Sequence, residues 1–367
     1  MNPLIDCLRA FAALGVVLFH MDNCGFGILP TPLAVQGELG VHLFFCLSGF
    51  LIATSVMRPQ NFDLRAYSSA RARRVLPNYY LCAIFCLLLV EGRTIAHASP
   101  GDLTGNLFSH ALLMHAWFGE YISSVMGPLW TLSHEWIFYL LMAACAGLLR
   151  SKRWWILPLV MLVIAIGSRL AIMNGTFNLT AGANHPACFW DQFAMGITAA
   201  WIARSYRVSW PWTAVGAALV GYVLWVRCGL AFNLQAEIEG LPLGHRLSAA
   251  VAKKRSLSIW HPLLLGLGCS MLVAAASQAS DRVKHWSQLT PLPWMGKVSY
   301  STYLWHMPVV ICFMRAMRQL PANGTFQSHA FASSCVLLGV YLVSAICYAH
   351  FEKPWVQHNP TRKLGQS

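Results

Sequence analysis

Apolar segments of about 20 residues recur along the whole of this 367-residue chain and restrict its possible folds more than any other feature. A segment of this length can cross a bilayer as an α-helix, which satisfies its backbone hydrogen bonds within the segment itself. Charged residues make up 11% of the chain, against about 25% in soluble domains. The sequence therefore predicts an all-α fold, a polytopic membrane helical bundle.

Hydropathy predicts about ten transmembrane helices in a single domain, residues 1–367, with a core of about 5–352 and a short cytoplasmic tail, 353–367. The predicted spans are 6–28, 39–57, 78–97, 128–149, 154–173, 186–203, 208–226, 258–277, 298–316 and 329–350. With the N-terminus in the cytoplasm, most of the 26 Lys and Arg residues fall in cytoplasmic segments, as the positive-inside rule requires. Both termini are therefore expected in the cytoplasm, although the cluster Lys253, Lys254 and Arg255 then lies outside.

Several polar features have a simple topological or packing explanation. The net charge of +13 reflects basic residues in the loops between spans, so nucleic-acid binding is not expected. The twelve cysteines are scattered singly, without a CxxC pair or the spacing of metal ligands. The sequence therefore predicts no metal site and no permanently bound cofactor. His110 and His115, in a segment between spans, are expected at the membrane interface.

The first predicted span contains three ionisable residues, Asp6, Arg9 and His20. Each such residue costs about 2.5 to 3.5 kcal/mol in a bilayer helix, and such residues mark sites or pathways. Arg9 and His20 are eleven residues apart, so they share one helix face about 16 Å apart, with His20 well inside the span. The alternative is that Arg9 extends to the headgroups while His20 bonds a neighbouring carbonyl.

The next two segments add small residues and a pair of cations. Ser48 and Gly49 lie in GVHLFFCLSGFLI, where small residues favour close helix packing. Arg71 and Arg74 are three residues apart and share a helix face before Pro77. Two guanidiniums on one face can bind phosphates through bidentate hydrogen bonds, although topology alone also recruits arginine to such a loop.

Two later spans carry polar residues at helical spacing. In WTLSHEWIFYLL, Glu135 and Tyr139 are one turn apart and can hydrogen bond. Glu135 is a functional candidate, with a structural ion pair as the alternative. In SYSTYLWHMPVV, Tyr303 and His306 belong to a polar stripe that must face protein or water. His306 either orients a substrate or fastens two helices together.

Taken in order, these motifs resemble the signatures of the integral-membrane acyltransferase family 3, the multi-pass bacterial O-acyltransferases of cell-surface glycans. The matching features are Arg9 and His20, GVHLFFCLSGFLI, RARRVLP, WTLSHEWIFYLL, SYSTYLWHMPVV and the closing Glu352-Lys353-Pro354. The chain differs from the family pattern at His42, where an acidic residue is usual. The chain is expected to resemble the stand-alone type, without an extracytoplasmic hydrolase-like domain.

The resemblance implies a membrane O-acyltransferase, most directly an O-acetyltransferase, of the bacterial inner membrane. It would move an acyl group from cytoplasmic acyl-CoA to a hydroxyl of a glycan, glycolipid or related acceptor near the outer face. His20 is expected to act as general base, with Glu135 as the second catalytic candidate. Donor phosphates are expected on Arg9, Arg71 and Arg74. The supporting candidates are Asp6, Ser48, Trp130, Ser133, Tyr139, Tyr303, His306 and Glu352.

Two questions of mechanism stay open at this point. Direct attack by the acceptor and an acyl-His20 intermediate are both compatible with the residues. A membrane transporter or acyl exporter, which would use the same polar core without bond formation, is the alternative function. Expected partners are acyl-CoA (acetyl-CoA), a glycan or lipid-linked sugar, and membrane lipids, and a homo-oligomer is also possible.

Overall fold

The computed structural model describes residues 2–58, 62–90, 99–118, 121–122, 124–174, 184–237, 255–317 and 326–357. Within these ranges every regular element is helical, which confirms the predicted all-α class. The longer helices are α1 (Pro3–Asn23), α2 (Gly40–Met57), α3 (Leu64–Phe85), α4 (Pro100–Ala111), α5 (Trp130–Ala144), α6 (Ile156–Met173), α7 (Trp190–Ser205), α8 (Trp210–Glu237), α9 (Arg255–Ser277), α10 (Asp281–Gln288), α11 (Leu292–Lys297), α12 (Ser299–Met317) and α13 (Phe326–Cys347).

Six helical segments in the described ranges are long and apolar enough to cross a membrane, and the chain is a polytopic membrane protein. They are Pro3–Asn23, Thr31–Met57, Ile156–Met173, Trp210–Asn233, Ile259–Ser277 and Ala330–Val356. The other four predicted spans fall on α3, α5, α7 and α12. Helices α5 and α7 have only 15 and 16 residues, and α3 and α12 carry polar side chains that lower their hydropathy, including Arg71 on α3 and the buried Ser301 on α12.

Helix α3 begins at Leu64, before the predicted third span at 78–97, so the segment that carries Arg71 and Arg74 is helical and puts them on one face, as their spacing predicted. The side chain of Asp63 caps this helix by accepting hydrogen bonds from the backbone N–H groups of Arg65 and Ala66 at 2.9 and 3.1 Å. Predictions that fall outside the described residues concern positions 91–97, Lys253, Lys254 and 358–367.

The helix ends meet at two faces of the bundle. At one face the Asn2 side chain, before α1, donates to a carbonyl in the last turn of α9 at 2.8 Å. Gln278, after α9, donates to the carbonyl of Ala203 near the end of α7 at 2.6 Å. Arg150 and Arg204 each donate to a carbonyl in the last turn of α2. We call this the N-terminal face, and the face where α2, α5 and α7 begin the opposite face.

Helices α2 and α7 approach each other through glycine. A Cβ atom placed on Gly49 would lie 2.4 Å from the backbone oxygen of Phe193, and one on Gly196 would lie 2.2 Å from that of Cys46. Because no side chain fits in either gap, the backbones pack directly, as small residues allow in membrane helices. The expected packing role of Gly49 agrees with this contact.

Alanine at Gly196 is therefore expected to lower the free energy of unfolding by about 1 to 3 kcal/mol, because the added methyl group must push α2 and α7 apart. The matched control is Gly167→Ala in α6, where a Cβ meets nothing within 4 Å. Thermal unfolding in detergent measures both variants. Equal thermal unfolding midpoints for the two variants would show that α2 and α7 can accommodate the added methyl group, which would contradict the prediction.

Candidate active site

A cavity that is partly open to its surroundings lies among α1, α2, α3, α5 and α12. Its lining residues are Arg9, Val41, Phe44, Phe45, Leu47, Ser48, Leu51, Ile52, Arg71, Arg74, Val75, Thr131, Leu132, Glu135, Tyr139, Tyr300 and Tyr303. A mostly apolar wall with a few convergent polar groups is typical of a small-molecule site. Residues more than 290 positions apart in the chain thus meet in one chamber.

The charged side chains of the wall are Arg9, Arg71, Arg74 and Glu135, so the cavity is net positive. Arg9 is only 6% exposed, although it is a cation on a membrane helix. Among the described residues, no carboxylate lies within 4 Å of any of these three guanidiniums. The Arg71 guanidinium lies over the rings of Tyr67 and Tyr139 instead, at 5.6 and 6.0 Å from their centroids. Three cations without a bonded carboxylate favour an anionic ligand.

Glu135 is held by two hydroxyl groups. Ser48 Oγ donates to Glu135 Oε1 at 2.7 Å, and the Tyr139 hydroxyl donates to the same oxygen. The one-turn spacing of Glu135 and Tyr139 predicted such a bond. Ser48 comes from α2, so this contact also ties α2 to α5. The carboxylate is thereby fixed in the wall beside the guanidiniums.

His20 lies against a second histidine. Its Nδ1 is 2.9 Å from the Val16 carbonyl oxygen and 3.3 Å from His306 Nε2. His306 Nδ1 is 2.7 Å from the Tyr303 carbonyl oxygen. Because a carbonyl oxygen can only accept a hydrogen bond, each Nδ1 must be the donor, and both neutral rings carry their proton on Nδ1. His20 Nε2 then holds the lone pair that a general base requires.

His20 lies closer to the helix end than the sequence suggested. Span 6–28 would put it well inside, but α1 ends at Asn23, so His20 is in its last turn and partly exposed. The N–H of Cys24 closes the helix, and Gly25 follows with φ +83°, a left-handed conformation that ends it. Apolar residues after this turn extended the hydropathy signal without extending the helix.

Tyr303 links the cavity to the histidine pair. Its hydroxyl accepts from Thr131 Oγ1 at 2.9 Å and donates to the Pro128 carbonyl at 3.0 Å, while its own carbonyl binds His306. None of the described residues that line the cavity is a histidine. The site therefore has two parts, a cationic chamber and a pair of imidazoles beyond Tyr303.

Glu352 belongs to a buried network behind the chamber. It is 3% exposed and accepts from Ser301 Oγ at 2.8 Å. Asn78 donates to Ser301 Oγ at 3.0 Å and accepts from Trp305 Nε1 at 3.0 Å. Asn78, Ser301 and Trp305 were missed by sequence reasoning. Asn78 could have been found from the sequence, because it is a single amide in an apolar segment and lies one helical turn after Arg74.

Besides His306 and Glu352, three supporting candidates lie outside the chamber. Asp6 is 1% exposed near the N-terminal face, and its backbone packs directly on Gly296. Ser133 is fully buried in α5. Trp130 packs its ring against Phe45, with ring centroids 6.4 Å apart. None of the three is among the described lining residues, so any role for them is indirect or concerns another part of the site.

The interfacial assignment of two other histidines is wrong. His110 is 4% exposed and His115 is fully buried. Their rings stack at 3.9 Å, His110 Nδ1 bonds the Tyr79 hydroxyl at 3.0 Å, and His115 Nε2 lies 3.1 Å from the Leu129 carbonyl. These contacts replace water at the ring nitrogens, which allows both imidazoles to be buried.

In the described residues, no cluster of three or more His, Cys, Asp or Glu residues has the geometry of a metal site.

Comparison with known proteins gives one family. A family model described as an acyltransferase domain matches residues 2–349. The chain is 27% identical over 344 residues to the putative peptidoglycan O-acetyltransferase YrhL of Bacillus subtilis, covering 84% of this chain and 48% of that protein. It is 25% identical over 325 residues to the peptidoglycan O-acetyltransferase OatA of Listeria monocytogenes, covering 84% and 49%. For the O-acetyltransferase OatA of Staphylococcus aureus the identity is 23% over 336 residues, covering 84% and 50%.

The chain therefore spans about half the length of these relatives. No solved structure matches it significantly. The family match nevertheless runs from before α1 to the π-helical turn after α13, and so includes the chamber and both imidazoles. By this near-complete match the chain belongs to the acyltransferase family that its motifs resemble, the integral-membrane acyltransferase family 3.

Proposed function

We propose that this protein is a membrane O-acyltransferase, and specifically an O-acetyltransferase that moves the acetyl group of acetyl-CoA to a hydroxyl of a glycan or lipid-linked sugar. The observation that carries this proposal is the two-part site: three guanidiniums without a bonded carboxylate in one chamber, and an imidazole pair joined to that chamber through Tyr303. The names of the relatives, which are O-acetyltransferases, support the acyl group and the hydroxyl acceptor.

The chamber fits the charge of an acyl-CoA donor. Such a donor carries phosphates at one end and a thioester at the end of a long flexible arm. Arg9, Arg71 and Arg74 would bind the phosphates, for which planar guanidiniums are well suited. The arm would then cross the apolar part of the chamber toward Tyr303. The thioester would then lie on the side of the site where the histidine pair lies.

The proposed reaction is direct transfer with His20 as general base. The acceptor hydroxyl gives its proton to His20 Nε2 while its oxygen attacks the thioester carbon. The carbon–sulfur bond breaks, and the imidazolium returns the proton to the departing thiolate. Guanidinium or hydroxyl donors of the chamber would stabilise the developing oxyanion. His306 would act as a positioning residue, because its Nε2 accepts a hydrogen bond from the Nδ1–H group of His20.

The donor and acceptor would enter from different sides of the bacterial inner membrane. Arg71 and Arg74 lie on α3, which begins near the N-terminal face, and this face would be cytoplasmic, where acyl-CoA is available. His20 lies in the last turn of α1, toward the opposite face, where an extracytoplasmic glycan would arrive. Two relatives are named for peptidoglycan, which supports a glycan as the acceptor class.

Replacing Arg71 by alanine is expected to raise the KM for acetyl-CoA by about 10-fold with little change in kcat, since a lost charge-assisted contact to phosphate is worth roughly 1.5 kcal/mol or more. The assay follows free thiol release from acetyl-CoA by the purified protein in nanodiscs with a soluble peptidoglycan fragment as acceptor. Arg73→Ala is the matched control, because Arg73 is on the same helix but does not line the chamber.

The proposal requires two results from this assay. Wild type must release thiol in an acceptor-dependent manner and yield acetylated glycan, and Arg73→Ala must keep the wild-type KM. If vesicles containing the protein accumulate acetyl-CoA or the glycan without any thiol release, the protein is a transporter and the enzyme proposal is wrong.

A further inference from the structure

The two ends of the chamber differ in chemistry. Arg9, Arg71 and Arg74 come from α1 and α3, which both begin near the N-terminal face. The other end lies where α2 and α5 begin, and we call it the apolar end. Its lining residues are Val41, Phe44, Phe45, Thr131, Leu132 and Tyr303. None of these six is charged, so a ligand whose phosphates bind the guanidiniums would place its uncharged part here.

The two hydroxyl groups at the apolar end are bonded within the protein. Thr131 Oγ1 donates to the Tyr303 hydroxyl at 2.9 Å, and the Tyr303 hydroxyl donates to the Pro128 carbonyl at 3.0 Å. Both hydroxyl protons are therefore used, and the other four residues of this end have apolar side chains. Such a surface suits a short hydrocarbon group, because a phosphate or a sugar buried there would lose its hydrogen bonds to water.

Two neighbouring phenylalanines line the apolar end, and the protein holds them differently. The Phe45 ring is 3% exposed, and its centroid lies 4.7 Å from that of Phe193 and 5.4 Å from that of Phe189. Phe44 is only partly buried, and it meets the Tyr303 ring at 5.7 Å with planes at 78°. Phe45 is therefore part of a packed aromatic wall, whereas Phe44 keeps accessible surface that a ligand can meet.

Tyr303 has both Phe44 and the histidine pair as neighbours. Its ring centroid lies 5.7 Å from that of Phe44 and 5.7 Å from that of His306. The reacting thioester has to lie near the histidine pair. A thioester beside Tyr303 would therefore have its acyl group next to Phe44, and a longer acyl chain would meet the Phe44 ring.

We propose that Phe44 limits the length of the acyl group that the chamber accepts, an inference that rests on the proposed function and makes Phe44 a specificity-determining residue for the donor. An acetyl group fits between Phe44 and Tyr303. A butyryl group has two further methylene groups and must displace the Phe44 ring. One methylene group in an apolar pocket changes affinity by about 10- to 200-fold.

The test is equilibrium binding of acyl-CoA donors to the protein in nanodiscs, measured by titration calorimetry without an acceptor. In wild type the Kd for butyryl-CoA should exceed the Kd for acetyl-CoA by at least about 10-fold. Phe44→Ala should reduce this ratio to about 1, mainly by tightening the binding of butyryl-CoA. Phe44→Leu keeps a larger apolar side chain and should give an intermediate ratio, which keeps the test valid if the alanine variant does not fold.

Leu51→Ala is the matched control. Leu51 also lines the chamber on α2, but it lies about 10 Å along the helix from Phe44, away from the apolar end. Its truncation should change the Kd for both donors by the same factor and leave their ratio at the wild-type value. A ratio that falls equally in Leu51→Ala and Phe44→Ala would reflect general loosening of the chamber and would overturn the specific role of Phe44.

The remaining outcomes separate this inference from the proposed function. A ratio near 1 in wild type, or a wild-type ratio in both folded Phe44 variants, overturns the role of Phe44. Acceptor-dependent thiol release in the same nanodiscs tests the function by itself. The expected ratios without thiol release keep Phe44 as the size limit and overturn the enzyme proposal, and thiol release with unchanged ratios does the reverse. Absence of binding of both donors by wild type overturns both proposals.

Discussion

Alanine at His20 is expected to reduce acceptor-dependent thiol release from acetyl-CoA by at least about 1,000-fold, within the range for loss of a general base. The physical reason is the fixed ring: the Val16 carbonyl and His306 both meet Nδ1, so the lone pair is on Nε2. The KM for acetyl-CoA should change little, because His20 does not line the described chamber. Single-turnover thiol release in nanodiscs measures the effect.

The control for this experiment is His285→Ala. His285 is exposed on α10 and contributes an imidazole of the same kind without a place in the site. It should retain wild-type turnover. Comparable turnover in His20→Ala and wild type would remove His20 from the mechanism. An acetyl group found on His20 after rapid quenching would instead favour the covalent route over direct transfer.

Glutamine at Glu135 is expected to lower kcat about 100-fold while the amount of folded protein stays near that of wild type. The side-chain amide keeps the carbonyl oxygen to which Ser48 and Tyr139 donate, so the local structure is preserved. It removes the single negative charge among the described lining residues, beside Arg9, Arg71 and Arg74. A loss of turnover in a folded protein would therefore report on the negative charge in the chamber wall.

Glu352→Gln provides the contrast. Glu352 is buried behind the chamber and accepts from Ser301, so its substitution should reduce the yield of folded protein more than the turnover of each folded molecule. Size-exclusion recovery and kcat per folded molecule separate the two effects. The reverse pattern, with Glu135→Gln poorly folded but fully active, would make Glu135 a structural anion.

Local spacing predicted the parts of the site that lie on one helix. Glu135 and Tyr139 are four residues apart and do hydrogen bond, and Arg71 and Arg74 are three apart and both line the chamber. Such predictions succeed because helical geometry relates near neighbours directly. The contact between His20 and His306 joins residues 286 positions apart, and local spacing along the chain cannot predict such a contact.

Hydropathy was less reliable wherever polar side chains are buried in protein. Arg169 on α6 forms a buried ion pair with Asp191 on α7 at 2.7 Å, which sequence reasoning missed. The same limitation placed two stacked histidines at an interface. In each case another protein group, and not water, forms the hydrogen bond or ion pair of the polar side chain. A hydropathy scale scores residues one by one and does not account for such a partner.

The uneven hydropathy of the bundle has a consequence for biogenesis. Helices α3, α5 and α12 supply about half of the lining residues of the chamber, yet they are not among the described segments that are both long and apolar enough to cross a membrane by themselves. With charged residues that each cost about 2.5 to 3.5 kcal/mol at the centre of a lone helix, α3 and α5 partition poorly into lipid alone. We therefore expect these helices to insert into the membrane cooperatively, with apolar neighbours such as α1 and α2 retaining them.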